Sequence, residues 1–217
     1  MIPQIKNVTI PQAALQRLPN YLKFLRLREA AGDRYVSSTV IAEGMHLNPV
    51  QVRKDIAMIS SASGKPKTGF VLVDLIRDLE KTLGYTNASD AVLVGVGSLG
   101  KAFLTYTGFH HYGLNIAAAF DTDPAKIGTE IGGKPVYSVD RLEEIVTRDK
   151  IRLGIISVPK AMAQSVADRM VASGIKGIWN FAPTHLSLPQ DIVVQNEDLA
   201  ASLAFISIKV SQSLTQK

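Results

Sequence analysis

The stretch AVLVGVGSLG, residues 91–100, decides the fold of the larger part of this chain. An apolar run typical of a buried strand leads into a turn whose glycines follow the spacing G-x-G-x-x-G. Such a turn between a strand and a helix indicates a dinucleotide site, because glycines let phosphates approach the backbone amides that begin the helix. We therefore predict a cofactor cradle formed by Gly95, Val96, Gly97, Ser98, Leu99 and Gly100.

A carboxylate stands where the second strand of such a unit should end. Asp121 closes the apolar run LNIAAAFD, residues 114–121, and lies 21 positions after Gly100. A carboxylate at that place hydrogen-bonds the hydroxyls of an adenosine ribose and repels a 2′-phosphate. The sequence therefore favours NAD(H) over NADP(H) as the cofactor.

The rest of the second half continues the alternation of strands and helices. Apolar runs typical of strands recur at 151–158 and 176–181, and helical patterns occupy 98–108, 138–149 and 161–174. This alternation predicts a Rossmann-like, doubly wound parallel sheet and therefore an α/β fold.

The first part of the chain reads as helices instead. Apolar residues at helical spacing predict one helix over 11–31 and another over 75–83. Between them, SSASGKPKTGFVL at 60–72 is small, contains Gly and Pro, and carries Lys65 and Lys67. This composition favours a β-turn or a wing over a core element.

Two helices in this part have marked beginnings and a short turn between them. Ser37 and Ser38 are candidate caps of a short helix that Gly44 should end, and Asn48 with Pro49 should begin the next helix. A short helix, a glycine-containing turn and a capped second helix form the helix-turn-helix pattern, whose second helix enters the DNA major groove.

Positive charge is concentrated in the same part of the chain. Residues 1–70 hold ten Lys and Arg against four Asp and Glu, whereas residues 71–217 hold 14 against 15. The second helix of the pattern also carries Gln51, Arg53 and Lys54, a polar and cationic cluster that packing alone does not require. This balance points to a polyanionic partner for the first part, and the alternative is a solvated basic face.

Composition argues against several other classes of protein. The chain has no cysteine, which excludes disulfides, cysteine zinc sites and thiol catalysis. Its first 22 residues lack an apolar core with a cleavage site, and no run of 18 apolar residues occurs. We therefore expect a cytoplasmic protein with no membrane contact and no metal site.

The last helical stretch, NEDLAASLAFISIKVSQSL at 196–214, is apolar on nearly every side. A helix of this kind needs burial on all sides, which one small core cannot provide. A second copy of the chain is the natural host, so the sequence predicts a homodimer. The residues concerned are Leu199, Leu203, Phe205, Ile206, Ile208 and Val210.

Acid and base residues suited to hydride transfer are scarce. His46 falls in the turn of the helix-turn-helix, and His110 and His111 follow the glycine helix. His185, near a strand end, is the one exception. The helical part leaves no room for a second substrate domain, so we interpret the nucleotide as a signal and assign no catalytic residue.

Segments along nearly the whole chain resemble, in order, the Rex family of redox-sensing transcriptional repressors. The most specific are QVRKD at 51–55 and GIKGIWNFAP at 174–183, and VGVGSLGKAF and AAFDTDPAKIG also match. The resemblance implies an N-terminal winged helix, a Rossmann domain and a C-terminal helix exchanged between the subunits of a homodimer. It also implies binding to palindromic, double-stranded operator DNA when NAD⁺ dominates, and release when NADH binds.

The resemblance further implies roles for particular residues. The recognition-helix contacts would be Gln51, Arg53 and Lys54, which suits the pairing of Arg with guanine and Gln with adenine. Ser37 and Ser38 are candidates to donate to a DNA phosphate, although capping their helix is the preferred role. Lys65 and Lys67 are candidate phosphate contacts because of their charge and place in the wing. The nicotinamide half of the cofactor is expected at Val158, Pro159, Asn180, Phe181, Ala182 and Pro183. A switch and dimer cluster is expected at Lys23, Tyr106, Asp198 and Leu199.

Two departures from the family pattern stand out. The family's wing is aromatic and rich in glycine, whereas residues 60–70 here read SSASGKPKTGF. Lys23 stands where some members carry an arginine that pairs with the carboxylate at position 198, and lysine cannot form the same bidentate pair.

These expectations combine into one domain plan. It has a winged-helix domain at 1–85, a Rossmann NAD(H)-binding domain at 86–195 and a C-terminal swapped helix at 196–217. The function predicted is that of a redox-sensing repressor that reads the NADH/NAD⁺ ratio. The alternatives are an NAD-dependent oxidoreductase and a regulator that senses another adenine nucleotide, such as coenzyme A.

Overall fold

The structure is a computed structural model that describes residues 10–62, 64–65, 68–86 and 89–215. The chain forms two compact units that divide at residues 87–88. Lys67, predicted to reach a phosphate, lies outside the described residues. The first unit contains, in order, α1 (Gln12–Leu15), α2 (Leu18–Ala30), β1 (Tyr35–Val36), α3 (Ser38–Met45), α4 (Pro49–Ile59), β2 (Phe70–Val71) and α5 (Leu72–Thr82).

The single helix predicted over 11–31 is in fact two helices. Helix α1 ends at Leu15 and helix α2 begins at Leu18, with Pro19 in the first turn of α2. Proline lacks an amide hydrogen, and its ring would clash with the carbonyl four residues earlier, here that of Leu15, if one helix continued through it. The break leaves Arg17 in the connection between α1 and α2.

Helix α3 ends differently from the prediction. Gly44 lies inside the helix, and the residue with the left-handed conformation that ends it is His46, at φ 54°. Gly44 serves packing instead, because a Cβ atom there would overlap the ring of Phe24. The predicted start of α4 is confirmed, since Asn48 Oδ1 accepts hydrogen bonds from the amides of Val50 (2.8 Å) and Gln51 (3.4 Å).

A winged helix results from the packing of these elements. Strands β1 and β2 pair antiparallel, and between α4 and β2 the amide of Lys65 donates to the carbonyl of Gly69. The amide and hydroxyl of Ser61 both donate to Asp78, which ties the start of this segment to α5. Leucines and isoleucines of α2, α3, α4 and α5 form the core of the unit around the buried Tyr21.

The second unit is built on a seven-stranded sheet. Its strands are β3 (Ser89–Val94), β4 (Leu114–Asp121), β5 (Glu130–Ile131), β6 (Lys134–Ser138), β7 (Leu153–Ile156), β8 (Gly177–Asn180) and β9 (Val193–Asn196). Its helices are α6 (Ser98–Thr105), α7 (Leu142–Arg148), α8 (Lys160–Ala172) and α9 (Leu199–Thr215), with 3₁₀ turns at Thr107–Tyr112 and Val139–Arg141.

The order of the strands is that of a Rossmann sheet. They lie in the order β5-β6-β4-β3-β7-β8-β9, and all neighbours are parallel except β5 and β6. Without the short β5, the order corresponds to 3-2-1-4-5-6 along the chain. The chain therefore reverses its direction of winding between β3 and β7, which is where such sheets bind ligands.

Both faces of the sheet are buried, as the continuous apolar runs predicted. Along β3, Val92 and Val94 pack with α7 and α8 on one face, whereas Ala91 and Leu93 pack with α6 on the other. The hairpin of β5 and β6 and the edge strand β9 were missed. Strand β6 contains Pro135, and strand β9 has only two apolar residues. Strands with so few apolar residues give little periodic signal in the sequence.

None of the described helices is long and apolar enough to cross a membrane. Within the described residues, no group of three or more His, Cys, Asp or Glu side chains is placed to hold a metal ion.

Candidate functional site

Helix α4 presents its polar side chains to solvent. Val52 and Ile56 are buried in the core of the first unit, whereas Gln51, Arg53 and Lys54 are exposed. In the described part of the chain, neither Arg53 nor Lys54 has an ion-pair partner. Two cations that form no ion pair in the first turns of a helix make a surface suited to an anionic partner.

A buried carboxylate supports this surface from beneath. Asp55 is completely inaccessible to solvent, and it accepts hydrogen bonds from Arg17 Nε (2.7 Å) and Nη2 (2.9 Å). It also accepts from the Tyr21 hydroxyl (2.7 Å) and from Gln51 Nε2 (2.8 Å). A buried carboxylate needs such partners. The sequence did not reveal this cluster, although the helical spacing of Asp55 from Val52 places its side chain on the buried face.

The protonation states in this cluster follow from its geometry. Burial alone would raise the pKa of Asp55, but the hydrogen bonds from Arg17, Tyr21 and Gln51 outweigh burial and hold that pKa below its ordinary value. Burial, with the neighbouring carboxylate, raises the pKa of Tyr21 to about 12. At neutral pH Asp55 is therefore an ionised acceptor, and Tyr21 is a protonated donor.

This cluster predicts a pH dependence of stability. Because the folded-state pKa of Asp55 lies below the unfolded value of about 3.9, its contribution is complete well above that pH and is lost as the pH falls through the folded-state pKa. We expect the melting temperature to fall on acidification, and to fall less steeply in the Asp55→Asn variant. Thermal unfolding followed by circular dichroism between pH 7 and pH 3 measures both slopes, and equal slopes would contradict the assignment.

The predicted phosphate contacts near α4 have different environments. The Ser37 hydroxyl accepts from the amide of Val40 (3.2 Å) and caps α3, whereas Ser38 is buried within that helix. Lys65 is exposed in the wing. Ser37 and Lys65 are thus better placed than Ser38 to meet a phosphate, and all three roles stay predictions.

The crevice of the second unit lies where the winding of the sheet reverses. It has a volume of about 320 Å³ and is bounded by the carboxyl ends of β3, β4 and β7 and by the first turns of α8. Five residues that the sequence predicted for the cofactor line it, namely Gly95, Gly97, Asp121, Val158 and Pro159. Ser157, in the stretch SVP at 157–159 that the family resemblance assigns to the nicotinamide half, also lines it. The sequence did not single out the remaining lining residues, which are Val94, Thr122, Lys126, Val139, Met162, Ser165, Val166 and Arg169.

The three glycines of the turn have distinct roles. Gly95 has φ +100°, and a Cβ there would approach within 2.6 Å of the Ser157 carbonyl oxygen, across the crevice floor. A Cβ at Gly100 would overlap the carbonyl oxygen of Gly95. At Gly97, by contrast, a Cβ would meet no atom within 4 Å, so the space in front of this residue is open.

The open space at Gly97 lies at the start of helix α6. No side chain caps that helix, and the amides of its first turn have no acceptors within the helix. Free amides and the positive end of the helix dipole favour an anion at this place. The geometry therefore fits the pyrophosphate of a dinucleotide.

Asp121 connects the ribose position to the glycine turn. It accepts from the amides of Val96 (2.7 Å) and Asp123 (2.9 Å), and Lys126 Nζ lies 3.2 Å from its carboxylate. Burial would raise the pKa of Asp121, but these amides and Lys126 lower it overall. The side chain is therefore an ionised acceptor at the crevice, as ribose binding requires.

The segment predicted to hold the nicotinamide, Asn180 to Pro183, begins with a side chain that stabilises the turn after β8. Asn180 is buried, and its side chain accepts from the amide of Ala182 (3.0 Å) and donates to the Thr184 carbonyl (2.8 Å) and to Asn196 (2.8 Å). These bonds fix the turn that follows β8. In that turn Ala182 is buried, Phe181 is half-buried and Pro183 is exposed. Their contacts to a cofactor stay predictions.

For the predicted switch residues, the structure shows local positions and contacts within each compact unit. Asp198 caps α9, because its Oδ1 accepts from the amide of Ala201 (2.8 Å). Tyr106 is 54% exposed and meets Phe109 edge-on at 4.9 Å between ring centroids, and Lys23 is exposed. Leu199 is the first residue of α9. The cluster predicted among these residues stays a prediction.

Comparison with known proteins locates both regions in described families. Residues 9–57 match a family model described as a putative DNA-binding protein N-terminus, and residues 86–184 match one described as a CoA binding domain. The matched ranges coincide with the helix-turn-helix and with the larger part of the Rossmann sheet.

Similar proteins are found over nearly the full length. The redox-sensing transcriptional repressor Rex of Bacteroides fragilis is 42% identical over 198 residues, which cover 91% of this chain and 90% of that protein. The corresponding protein of Porphyromonas gingivalis is 43% identical over the same coverage. Among solved structures, the Rex-family repressor RSP is 32% identical. Its complex with β-NAD⁺ and operator DNA has a TM-score of 0.90 and covers 96% of both chains. Its complex with β-NADH has a TM-score of 0.85 and covers 96% of this chain and 98% of that chain.

Proposed function

The chain belongs to the Rex family of redox-sensing transcriptional repressors, and from this premise we propose that it acts as a homodimer that leaves its operator when NADH fills the crevice. It is a DNA-binding repressor with NAD(H) as its cofactor, and its curated relatives are named as regulators rather than enzymes. One observation carries the proposal. A single chain joins an exposed cationic recognition helix to a crevice lined by the glycine turn and the carboxylate expected of a dinucleotide site.

Binding of DNA is proposed to occur through α4. In a helix-turn-helix the start of the second helix meets the base edges, which is where Gln51, Arg53 and Lys54 stand. Arginine pairs bidentately with guanine, glutamine with adenine, and lysine binds a phosphate or guanine. Two such helices about 34 Å apart would read successive major grooves of a palindrome. The similar protein RSP has been solved with operator DNA, which supports this reading.

Binding of the dinucleotide is proposed to follow the crevice. The pyrophosphate lies before Gly97 at the start of α6, the adenosine ribose bonds to Asp121, and the nicotinamide lies toward Pro159, and all three residues line the crevice. The family resemblance adds Phe181 to the nicotinamide end. NADH and NAD⁺ differ by a hydride and one positive charge, so the nicotinamide end must distinguish them. To turn a mostly DNA-competent population into a mostly incompetent one, NADH must prefer the second state by roughly 5 kcal/mol.

The homodimer is proposed to form through the segment 196–217. In the single chain, six large apolar residues of α9 between Leu203 and Leu214 have between 51% (Val210) and 71% (Leu214) of their surface exposed. These residues occur on all sides of the helix, and helices of that kind are stable when surrounded by other apolar elements. A partner subunit that encloses α9 supplies such surroundings. The same arrangement brings two copies of α4 together on one operator.

The dimer proposal predicts a loss of association when α9 is made polar. In the Phe205→Asp variant a carboxylate replaces a ring that is 62% exposed in the single chain, so the fold of the chain should persist while enclosure by a partner becomes costly. We expect monomers by light scattering with size-exclusion chromatography, and loss of operator binding. The matched Phe205→Leu variant should remain dimeric. If the Phe205→Asp protein remained dimeric, α9 would not form the interface, and the dimer proposal would be contradicted.

Two rival functions make different predictions. An NAD-dependent oxidoreductase would turn over NADH with a substrate, which steady absorbance at 340 nm would reveal. A regulator of the coenzyme A type is suggested by the description of the matched family model. As a regulator of transcription the protein is also proposed to work in the cytoplasm, where it would meet its operator DNA.

A gel-shift experiment with a palindromic operator tests the proposal against both rivals. Operator complexes formed with NAD⁺ should dissociate when NADH is added at equal concentration, and coenzyme A should have no effect. Release by coenzyme A alone would favour a regulator of the coenzyme A type. Operator complexes that persist in the presence of each of the three nucleotides would contradict the proposed function.

A further inference from the structure

We propose that Asp55 sets the base preference of the protein by fixing the orientation of the Gln51 side-chain amide. The inference rests on the proposed function, namely that α4 reads DNA, and adds a positioning residue to it. Gln51 Nε2 lies 2.8 Å from Asp55 Oδ1, one helical turn away on α4. Gln51 is exposed and Asp55 is buried, so this bond connects the reading surface to the interior of the unit.

Asp55 permits only one orientation of that amide. An ionised carboxylate accepts hydrogen bonds and cannot donate them. If the Gln51 amide turned over, Oε1 would face a carboxylate oxygen, and two acceptors at hydrogen-bond distance repel each other. The nitrogen side of the amide is therefore held toward Asp55.

The orientation determines what Gln51 can offer to a base. One N–H is bonded to Asp55, and the second N–H and Oε1 remain. Adenine presents N7 as an acceptor and its N6 amino group as a donor in the major groove, which matches that remaining pair. Guanine presents two acceptors, N7 and O6, so Oε1 would meet O6 unfavourably. The fixed amide thus selects adenine and rejects guanine.

Asp55 is itself held by two other elements. Arg17 donates two hydrogen bonds to it from the break between α1 and α2, and Tyr21 donates a third from α2. These donors fix both carboxylate oxygens, so the side chain cannot rotate with Gln51. The two bonds from Arg17 alone reach both carboxylate oxygens, so Asp55 should keep its orientation when the Tyr21 hydroxyl is removed.

A specificity profile separates positioning from simple structural support. The operator is first selected from a randomised palindromic library, and relative affinities are then measured for every single base-pair change in one half-site. Gln51→Met identifies the base pair that Gln51 reads. In Asp55→Asn the new side-chain amide can donate to Oε1, so both orientations of Gln51 become possible. We expect the preference for adenine over guanine at that base pair to fall about tenfold, while preferences elsewhere in the half-site persist.

Two further variants make the result decisive. When Asp55→Asn is added to Gln51→Met, no additional change should occur at that base pair, because the amide is already absent. Tyr21→Phe removes one donor to Asp55 and leaves the Gln51 bond in place, so it should lower the melting temperature without changing the preference. If Asp55→Asn weakens binding to all operator variants equally, Asp55 is only structural and the inference is overturned.

A measurement on the unchanged protein serves if Asp55→Asn unfolds. In a ¹⁵N-labelled sample, one Gln51 side-chain amide proton should be shifted downfield and protected from exchange, with Gln51→Met providing the assignment. An amide signal at its ordinary position, without protection, would overturn the inference alone. Failure of the unchanged protein to bind any palindrome would instead overturn the proposed function, and the inference with it.

Discussion

Replacing Arg53 by alanine is expected to lower operator affinity by roughly two to four orders of magnitude, because the proposed dimer would lose the proposed bidentate guanine contact, of about 1–3 kcal/mol, in each half-site. Arg53 is exposed on α4 and has no ion-pair partner among the described residues, so its removal should not disturb the fold. Fluorescence anisotropy with a labelled operator at fixed salt measures the change. The affinity for NADH, measured by titration calorimetry, should stay the same.

Arg148→Ala is the matched control for the charge that Arg53→Ala removes. Arg148 is exposed in the second unit and pairs only with the neighbouring Asp149 among the described ion pairs. A loss of operator affinity as large as that of Arg53→Ala would show that net charge, not base reading, is measured.

Asp121→Ala should give the opposite pattern to Arg53→Ala, with operator binding kept and the NADH response lost.

Alanine substitutions at Gly97 and Gly100 are expected to separate ligand binding from folding. At Gly97 the added Cβ meets no atom and φ is −78°, so the empty protein should be as stable as before or slightly more so. The Cβ would occupy the space proposed for the pyrophosphate, and NADH affinity should fall about tenfold or more, which corresponds to an overpacking cost of roughly 1–3 kcal/mol.

Gly100→Ala should act on the fold. Its Cβ would overlap the backbone oxygen of Gly95, which cannot move without displacing the turn. We expect a destabilisation of about 1–3 kcal/mol or more and a melting temperature several degrees lower. Calorimetric melts of both variants, with and without NADH, give the comparison. Equal melting temperatures for the two empty variants would contradict the assigned glycine roles.

The parts of the fold that the sequence predicted are those with local causes. The start of α4 depends on Asn48 and Pro49, which act on amides two and three residues away. The crevice depends on a glycine spacing within one strand, turn and helix, and on Asp121 at the end of the next strand. In each case the residues that determine the geometry are close in sequence or follow a fixed topology.

The parts that were missed depend on contacts distant in sequence. The partner of Asp55 is Arg17, 38 positions earlier, and its position results from a helix break that the apolar spacing of 11–31 concealed. Glycine is common at helix ends, which predicts an end at Gly44, whereas contact with the ring of Phe24 explains the glycine. Neither contact leaves a periodic trace in the sequence.

We propose that operator DNA and NADH each weaken the binding of the other to one dimer. Thermodynamic linkage gives the most direct test of this coupling. The affinity of the protein for NADH should be measured by calorimetry with and without saturating operator DNA. Because coupling between two ligands is reciprocal, operator should weaken NADH binding by the same factor by which NADH weakens operator binding. An NADH affinity that is identical with and without operator would contradict the account.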